Sequence, residues 1–256
     1  MAVIIREPLQ AVRVPPKRTL VRVLDADPEL GSAISLEAWP RAVTAAVAPV
    51  FRHHVGPWRF FPKPDRVSFG ALILDGVITV RVQVDGHAHL ELLGDGDVIS
   101  PWAGAGPDMA LPTEVTASVV KDLRLAVLDR TFARRIAEWP EIHAALIQRL
   151  IARSRRLSLQ GAINSLPRVE ERVELTLWQL AYRFGRVTPA GTLLQLRLTH
   201  HQLSEIVAAR RPSVSVALAR LAAAGRVRRS NGDEWLLTGA APSKLAPLQR
   251  QTGLRT

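Results

Sequence analysis

Residues from Val67 onward alternate between apolar and polar positions with the period of a β-strand. Ile78, Val80, Val82 and Val84 fall on one side, and Val77, Thr79, Arg81 and Gln83 on the other. Asp85-Gly86 supplies a tight hairpin turn. The alternation resumes with Ala88, Leu90 and Leu92 on one face and His87, His89 and Glu91 on the other. After a Gly- and Asp-rich break at 94–97, residues 115–120 and 123–128 read as two further strands. Short antiparallel strands at this spacing predict a small sandwich or jelly-roll barrel. Upstream, between Leu20 and Phe61, the patterns are short and helical, including 33–50, and are broken by Pro40 and Pro49. The first 20 residues, rich in Pro and Arg and without a clear period, predict an extended arm.

At Thr131 the texture turns helical. Pro140 suits the first turn of a helix that can run to about Leu166, where Pro167 stops it or starts another. Ile142, Ala145, Leu146, Arg149, Leu150, Arg153 and Leu157 lie near one stripe of that helix. Its length, roughly 39 Å, exceeds what a cap on a β domain needs. A dimerisation helix fits this pattern better than an intradomain packing helix, though both would carry such a stripe. A further helix spans 168–184, with Val169, Val173, Leu177, Leu180 and Ala181 on a common face and Gly185 at its end.

Residues 198–225 then hold two short helical patterns with almost no loop between them. Thr199 is placed as an N-cap and Gln202 completes a capping box. Leu203, Ile206 and Val207 form the buried stripe of the first helix. Pro212 sits in the first turn of the second, where Val214, Ala217, Leu218 and Leu221 repeat at three- and four-residue steps. Arg211, Ser213, Ser215, Val216 and Arg220 are left nearer the outside, the arrangement of a recognition helix with donors at its N-terminal end. Gly225 closes that helix, and 226–229 and 234–237 flank Asn231-Gly232 as a basic two-stranded wing. An ordinary helical hairpin would share the apolar period. The Thr cap, the paired Arg210-Arg211 and the wing together point to DNA.

Charge strengthens this reading. The net charge is +11, yet residues 1–130 carry 14 Lys/Arg against 15 Asp/Glu, whereas 131–256 carry 20 against 8. Such asymmetry suits a polyanion partner for one half of the chain. Codon bias toward Arg would also raise the charge. Cysteine is absent, which excludes disulfides and thiolate metal sites. The longest uncharged apolar stretch, 42–51, is too short to span a bilayer, and the N-terminus has no signal-peptide pattern, so a cytoplasmic protein is expected.

The order of barrel, long helix and winged helix resembles the Crp/Fnr family of bacterial transcription factors over roughly 20–239, most strongly after Pro167. The resemblance implies a homodimer reading two half-sites of a near-palindrome, with an N-terminal barrel that senses a signal. In the family's R-E-x-x-x-R recognition pattern Arg211 matches the first Arg, but Pro212 takes the Glu position and Val216 the second Arg. Pro212 cannot accept a bond from cytosine N4, and Val216 offers only apolar contact, so the family's best-known half-site is not expected. The usual turn glycine is Ala208. In the barrel, 96–99 match the turn before the family's phosphate-binding cassette, but Ser100-Pro101 replace its Gly-Glu and no Arg lies between Arg81 and Arg124. Without that arginine the charge-assisted contact to a cyclic phosphate is missing, and cyclic AMP is not expected as ligand.

A rival reading is a cupin-like metal-binding enzyme or sensor with an accessory DNA domain, suggested by His87, His89 and Glu91 on one strand face. The cupin Glu position holds Leu93 or Gly94 instead, and a solvated strand face explains the pair. Arg153, Arg155 and Arg156 read as solvating the long helix, and Trp39, Trp58, Trp102, Trp139, Trp178 and Trp235 as core or pocket lining. The expected fold is therefore α+β: arm 1–20, cyclic-nucleotide-binding-like jelly roll 21–139, dimerisation helix 140–166, winged helix-turn-helix 167–241 and tail 242–256. The expected DNA-contacting residues are Thr199, His200, His201, Arg210, Arg211, Ser213, Ser215, Val216, Arg220, Arg228 and Arg229. Partners expected are double-stranded DNA, a second copy of the chain, RNA polymerase and a small-molecule effector of unassigned identity, with no membrane. No catalytic residue, metal or cofactor is expected.

Overall fold

The computed structural model describes residues 19–58, 68–99, 113–230, 234–239 and 241–242. The chain divides into two compact units, residues 1–156 and 157–256. Most of the expected arm lies outside the described residues. Thr19 and Leu20 do not belong to an arm but to the first strand.

In the N-terminal unit, β1 (Thr19–Arg22), β2 (Val47–His53), β7 (Glu114–Leu128), β4 (Gly70–Val84) and β5 (His87–Leu93) pair in that order. The short strands β3 (Gly56–Trp58) and β6 (Val98–Ile99) join β7 and β4. All of these pairings are antiparallel. The β4–β5 hairpin turns at Asp85 (φ 47°) and Gly86 (φ 75°), the double left-handed geometry that Asp-Gly favours. The two strands expected over 115–128 are one, β7, because its long pairing with β4 carries it through the middle. Register shifts between Ile73 and Ile78 bend that ladder. Consequently Ala71 and Ile73 before the bulge and Ile78 and Val80 after it all enter one core with Val119, Leu123 and Leu125. Gly76 (φ 110°) occupies the bulge, where a Cβ would collide with the Asp122 carbonyl.

The opposite face, with Leu72, Leu74, Ala126 and Leu128, buries against α1 (Val23–Ala26), α2 (Trp39–Ala45), α3 (Arg130–Arg135) and Ile142 and Leu146 of α4 (Pro140–Asn164). The helical reading of 33–50 is corrected here. Pro40 starts α2 rather than breaking it, and β2 follows at Val47. Pro49 lies in the part of β2 that pairs with β1 alone, where a missing N–H costs least.

Helix α4 has two distinct apolar faces, which the single sequence stripe merged. Ile142 and Leu146 are buried in their own unit, whereas Ile147, Leu150 and Leu157 are exposed about a fifth of a turn away. Along the buried side Arg149 donates to Asp27 (3.2 Å) and Glu29 (2.9 Å), and Arg153 grips Glu91 through two bonds of 2.8 and 2.7 Å. Arg156 pairs with Asp97. Arg153 and Arg156 therefore anchor carboxylates rather than solvating the helix; Arg155 is exposed as expected. Trp58, Trp178 and Trp235 are buried, and Trp39 and Trp139 pack on the helical core. Trp102 lies outside the described residues.

The C-terminal unit contains α5 (Val169–Phe184), α6 (His200–Ile206), α7 (Arg211–Ala223) and four strands in the order β10 (Val227–Arg229), β11 (Trp235–Leu237), β9 (Gly191–Leu194), β8 (Gly185–Thr188). The β8–β9 hairpin was not anticipated. Its Pro189-Ala190-Gly191 turn is the signal that could have revealed it. The Asn231-Gly232 turn lies outside the described residues, but the flanking strands β10 and β11 pair antiparallel.

Candidate nucleic-acid interface

The capping box expected at Thr199 is complete: its Oγ1 accepts from Gln202 N (3.1 Å), and Thr199 N donates to Gln202 Oε1 (2.9 Å). Helix α6 thus starts at one defined residue. Its end is held as firmly, because Gln160 Nε2 (3.2 Å) and Asn164 Nδ2 (2.9 Å) donate to the Ile206 carbonyl and Arg172 Nη1 (3.3 Å) to that of Ala208. Ala208, in the turn, adopts φ 50°. Sequence reasoning missed these three clamping residues, since a polar residue in a helix carries no mark of its distant partner.

On α7 the stripe Val214, Ala217, Leu218 and Leu221 is buried as its spacing requires. Gly225 (φ 67°) ends the helix. Arg210, Arg211, Pro212, Ser213, Val216 and Ala219 are exposed. The Arg211 guanidinium makes no hydrogen bond or ion pair among the described residues, and Arg228 on β10 is also exposed. Arg220, in contrast, reaches back toward Glu170 of α5 at 4.0 Å. His201 lies 3.4 Å from the buried carboxylate of Glu205 on its own helix.

His200, Ser215, Arg229 and Trp235 form one cluster that ties α6, α7 and the wing together. Ser215 Oγ donates to the Arg211 carbonyl (3.1 Å), so at its 2.9 Å contact with His200 it accepts, and His200 carries its proton on Nδ1. The imidazole stacks on Trp235, and the Arg229 guanidinium lies 3.7 Å from the Trp235 ring centre while donating to the Leu198 carbonyl. Burial first, then the charges of Arg229 and Arg211, hold His200 below its ordinary pKa. Arg229 thus braces the wing against the ring of Trp235, which is buried as its core reading from sequence expected. At the wing's base Arg226 pairs with Glu174, whose carboxyl burial raises.

Residues 171–242 match the Crp-like helix-turn-helix domain family. Over 160 residues the chain is 30% identical to the CRP-like cAMP-activated global transcriptional regulator of Mycobacterium tuberculosis, covering 61% of this chain and 70% of that protein. The chain belongs to the Crp/Fnr family of transcriptional regulators. Crp/Fnr folds also appear among its structural neighbours. A CooA mutant from Carboxydothermus hydrogenoformans aligns with TM-score 0.60 at 19% identity, over 91% of this chain and 97% of that one. The c-di-GMP responsive regulator CLP of Xanthomonas campestris aligns with TM-score 0.58 at 18% identity, over 80% and 100%. The barrel with a C-terminal winged helix is accordingly a Crp/Fnr α+β architecture.

The cupin reading loses its footing in this Crp/Fnr barrel. Glu91 is committed to Arg153 and burial lowers the His89 pKa, so of the three residues on this face only His87 is exposed as the sequence suggested. No group of three or more His, Asp and Glu among the described residues could hold a metal ion. A cavity of about 440 Å³, lined by Leu30, Ala33, Pro140, Glu141, Ala144 and Gln148, opens beside α4. No described helix is long and apolar enough to cross a membrane.

Proposed function

We propose that this regulator is a homodimer that binds a near-palindromic DNA site by inserting the N-terminal end of α7 into the major groove. The observation that carries the reading is Arg211: an exposed guanidinium without an ion-pair partner among the described residues, on the first turn of a helix anchored by the buried stripe Val214, Ala217, Leu218 and Leu221. Exposed Arg210, Ser213 and Arg228 supply phosphate contacts around it. Thr199, His200, His201 and Ser215 lie behind them, with Arg229 holding the wing. Dimerisation rests on Ile147, Leu150 and Leu157, whose spacings of three and seven residues make an exposed seam on α4.

The same reading assigns no response to cyclic AMP. The chain has no Arg between 82 and 123, and Ser100-Pro101, outside the described residues, stand where the family has Gly-Glu. RNA polymerase and a small, less anionic effector are the further partners of such a regulator, acting in the cytoplasm. The decisive experiment is selection of bound duplexes from a random pool by the purified full chain. Two inverted half-sites about 10–10.5 base pairs apart, or a multiple of that, are expected. An unenriched pool, or a single asymmetric element bound by a monomer, would overturn the proposal.

A further inference from the structure

The outward face of α7 is apolar along its length, a property of the whole helix rather than of Val216 alone. Opposite the buried stripe stand Pro212, Val216, Ala219 and Ala223, spaced by three and four residues. All four are exposed, and Val216 retains 53% of its surface. Polar groups sit only on the flanks, with Arg211 and Ser215 to one side and Ser213 and Arg220 to the other. Arg220 is drawn toward Glu170 and Ser215 is occupied by His200 and the Arg211 carbonyl. Beyond Ser213 the exposed face of α7 keeps only Arg220, drawn toward Glu170, as a side-chain donor.

We infer that this helix reads thymine methyl groups, with Arg211 as the one polar base contact and Pro212, Val216 and Ala219 as an apolar strip against the next base pairs. The inference rests on the proposed entry of α7 into the major groove. From Pro212 to Ala219 the helix rises about 10 Å, close to three base-pair steps. Thymine is the base that offers a major-groove methyl, and apolar side chains pack on it without needing a partner for a donor or acceptor. The small Ala219 lets the helix axis approach closely, and the branched Val216 fills the space beside a methyl group. The flanking arginines Arg210, Arg211 and Arg228 make a nucleic acid, not an apolar protein surface, the fitting occupant of this strip.

The test uses the full chain and a duplex recovered by selection, with thymines replaced one at a time by deoxyuridine, which removes only the 5-methyl group. At least one position in each half-site should lose about fourfold in affinity, the weight of one buried methyl, with an unchanged salt slope. Val216→Ala, an exposed change on a helix that favours Ala, should abolish or shrink that sensitivity at one position. Specific binding that is indifferent to every uracil substitution would overturn the inference and leave the proposed DNA-binding mode intact. Absence of any sequence preference would overturn both. A Val216→Ala chain with wild-type binding to all duplexes but altered oligomeric state would assign the strip to a protein contact, and also overturn it.

Discussion

Glu91 and Arg153 can be removed singly and together, and their geometry sets the outcome. The two side chains, each only 15% exposed, share two charge-assisted bonds, from Nε at 2.8 Å and Nη2 at 2.7 Å. Breaking a fully buried pair by deleting one partner costs about 3–5 kcal/mol; the residual water access here reduces that to about 2–3 kcal/mol. Glu91→Leu strands a guanidinium that cannot lose its charge. Arg153→Met strands the Glu91 carboxylate in the same place, so both single variants should be destabilised. With both replaced, apolar groups fill the site and the loss should stay within about 1 kcal/mol, giving a coupling of about 2 kcal/mol or more. Urea titrations of the full chain, followed by tryptophan fluorescence and checked for a constant m-value, measure all four corners. A double variant that loses the sum of the singles would show that the pair has no mutual energy and refute the reasoning.

Ala208→Gly should stabilise the C-terminal unit by about 0.5–1 kcal/mol, because relief of a left-handed alanine exceeds the glycine's extra unfolded-state entropy; an unchanged or lower urea midpoint would contradict this. Arg211→Ala should reduce affinity for a selected site by roughly 5- to 150-fold and relax one base preference, whereas Arg228→Ala should weaken all duplexes alike and lower the salt slope by about 0.9; fluorescence anisotropy at several salt concentrations separates them. Leu150→Arg should shift the chain to monomer in light scattering, and a retained dimer would move the interface off α4. His89 and His200 both have folded pKa values below the ordinary 6.5, so the unfolded chain binds protons more readily and stability should fall as the pH drops below about 6.5. Gln at each position should flatten its share of that decline.

How much of this was legible follows from the range of the interactions involved. The elements α6 and α7 were readable because caps, prolines and three-to-four spacing act within one turn of helix. Thr199, Gln202, Pro212 and Gly225 each did what their local chemistry required. The hairpin at Asp85-Gly86 was readable for the same reason. By contrast, β2 was mistaken for helix because its identity comes from pairing with β7, some seventy residues on. Partners such as Arg153 and Glu91, or Gln160 and Ile206, lie 62 and 46 residues apart. Charge in the second half of the chain was therefore weighed between an external polyanion and codon bias, although Arg149, Arg153, Arg156 and Arg226 are matched internally. Among the site residues, Arg211 and Val216 stand exposed as read, while Arg229 and His200 turned out to face each other's neighbours rather than only the solvent.

Those internally matched arginines on α4 bear on the effector proposed for the barrel. Asp27, Glu29, Glu91 and Asp97 are tethered competitors, permanently at hand for Arg149, Arg153 and Arg156. A tethered group competes at an effective concentration of roughly millimolar or more. A dissolved anion at micromolar levels must therefore displace an acid that never diffuses away, and its charge alone gives it no advantage. A neutral molecule faces no such rival, so for the proposed effector these pairs favour a neutral ligand over a metabolite anion on this side of the barrel.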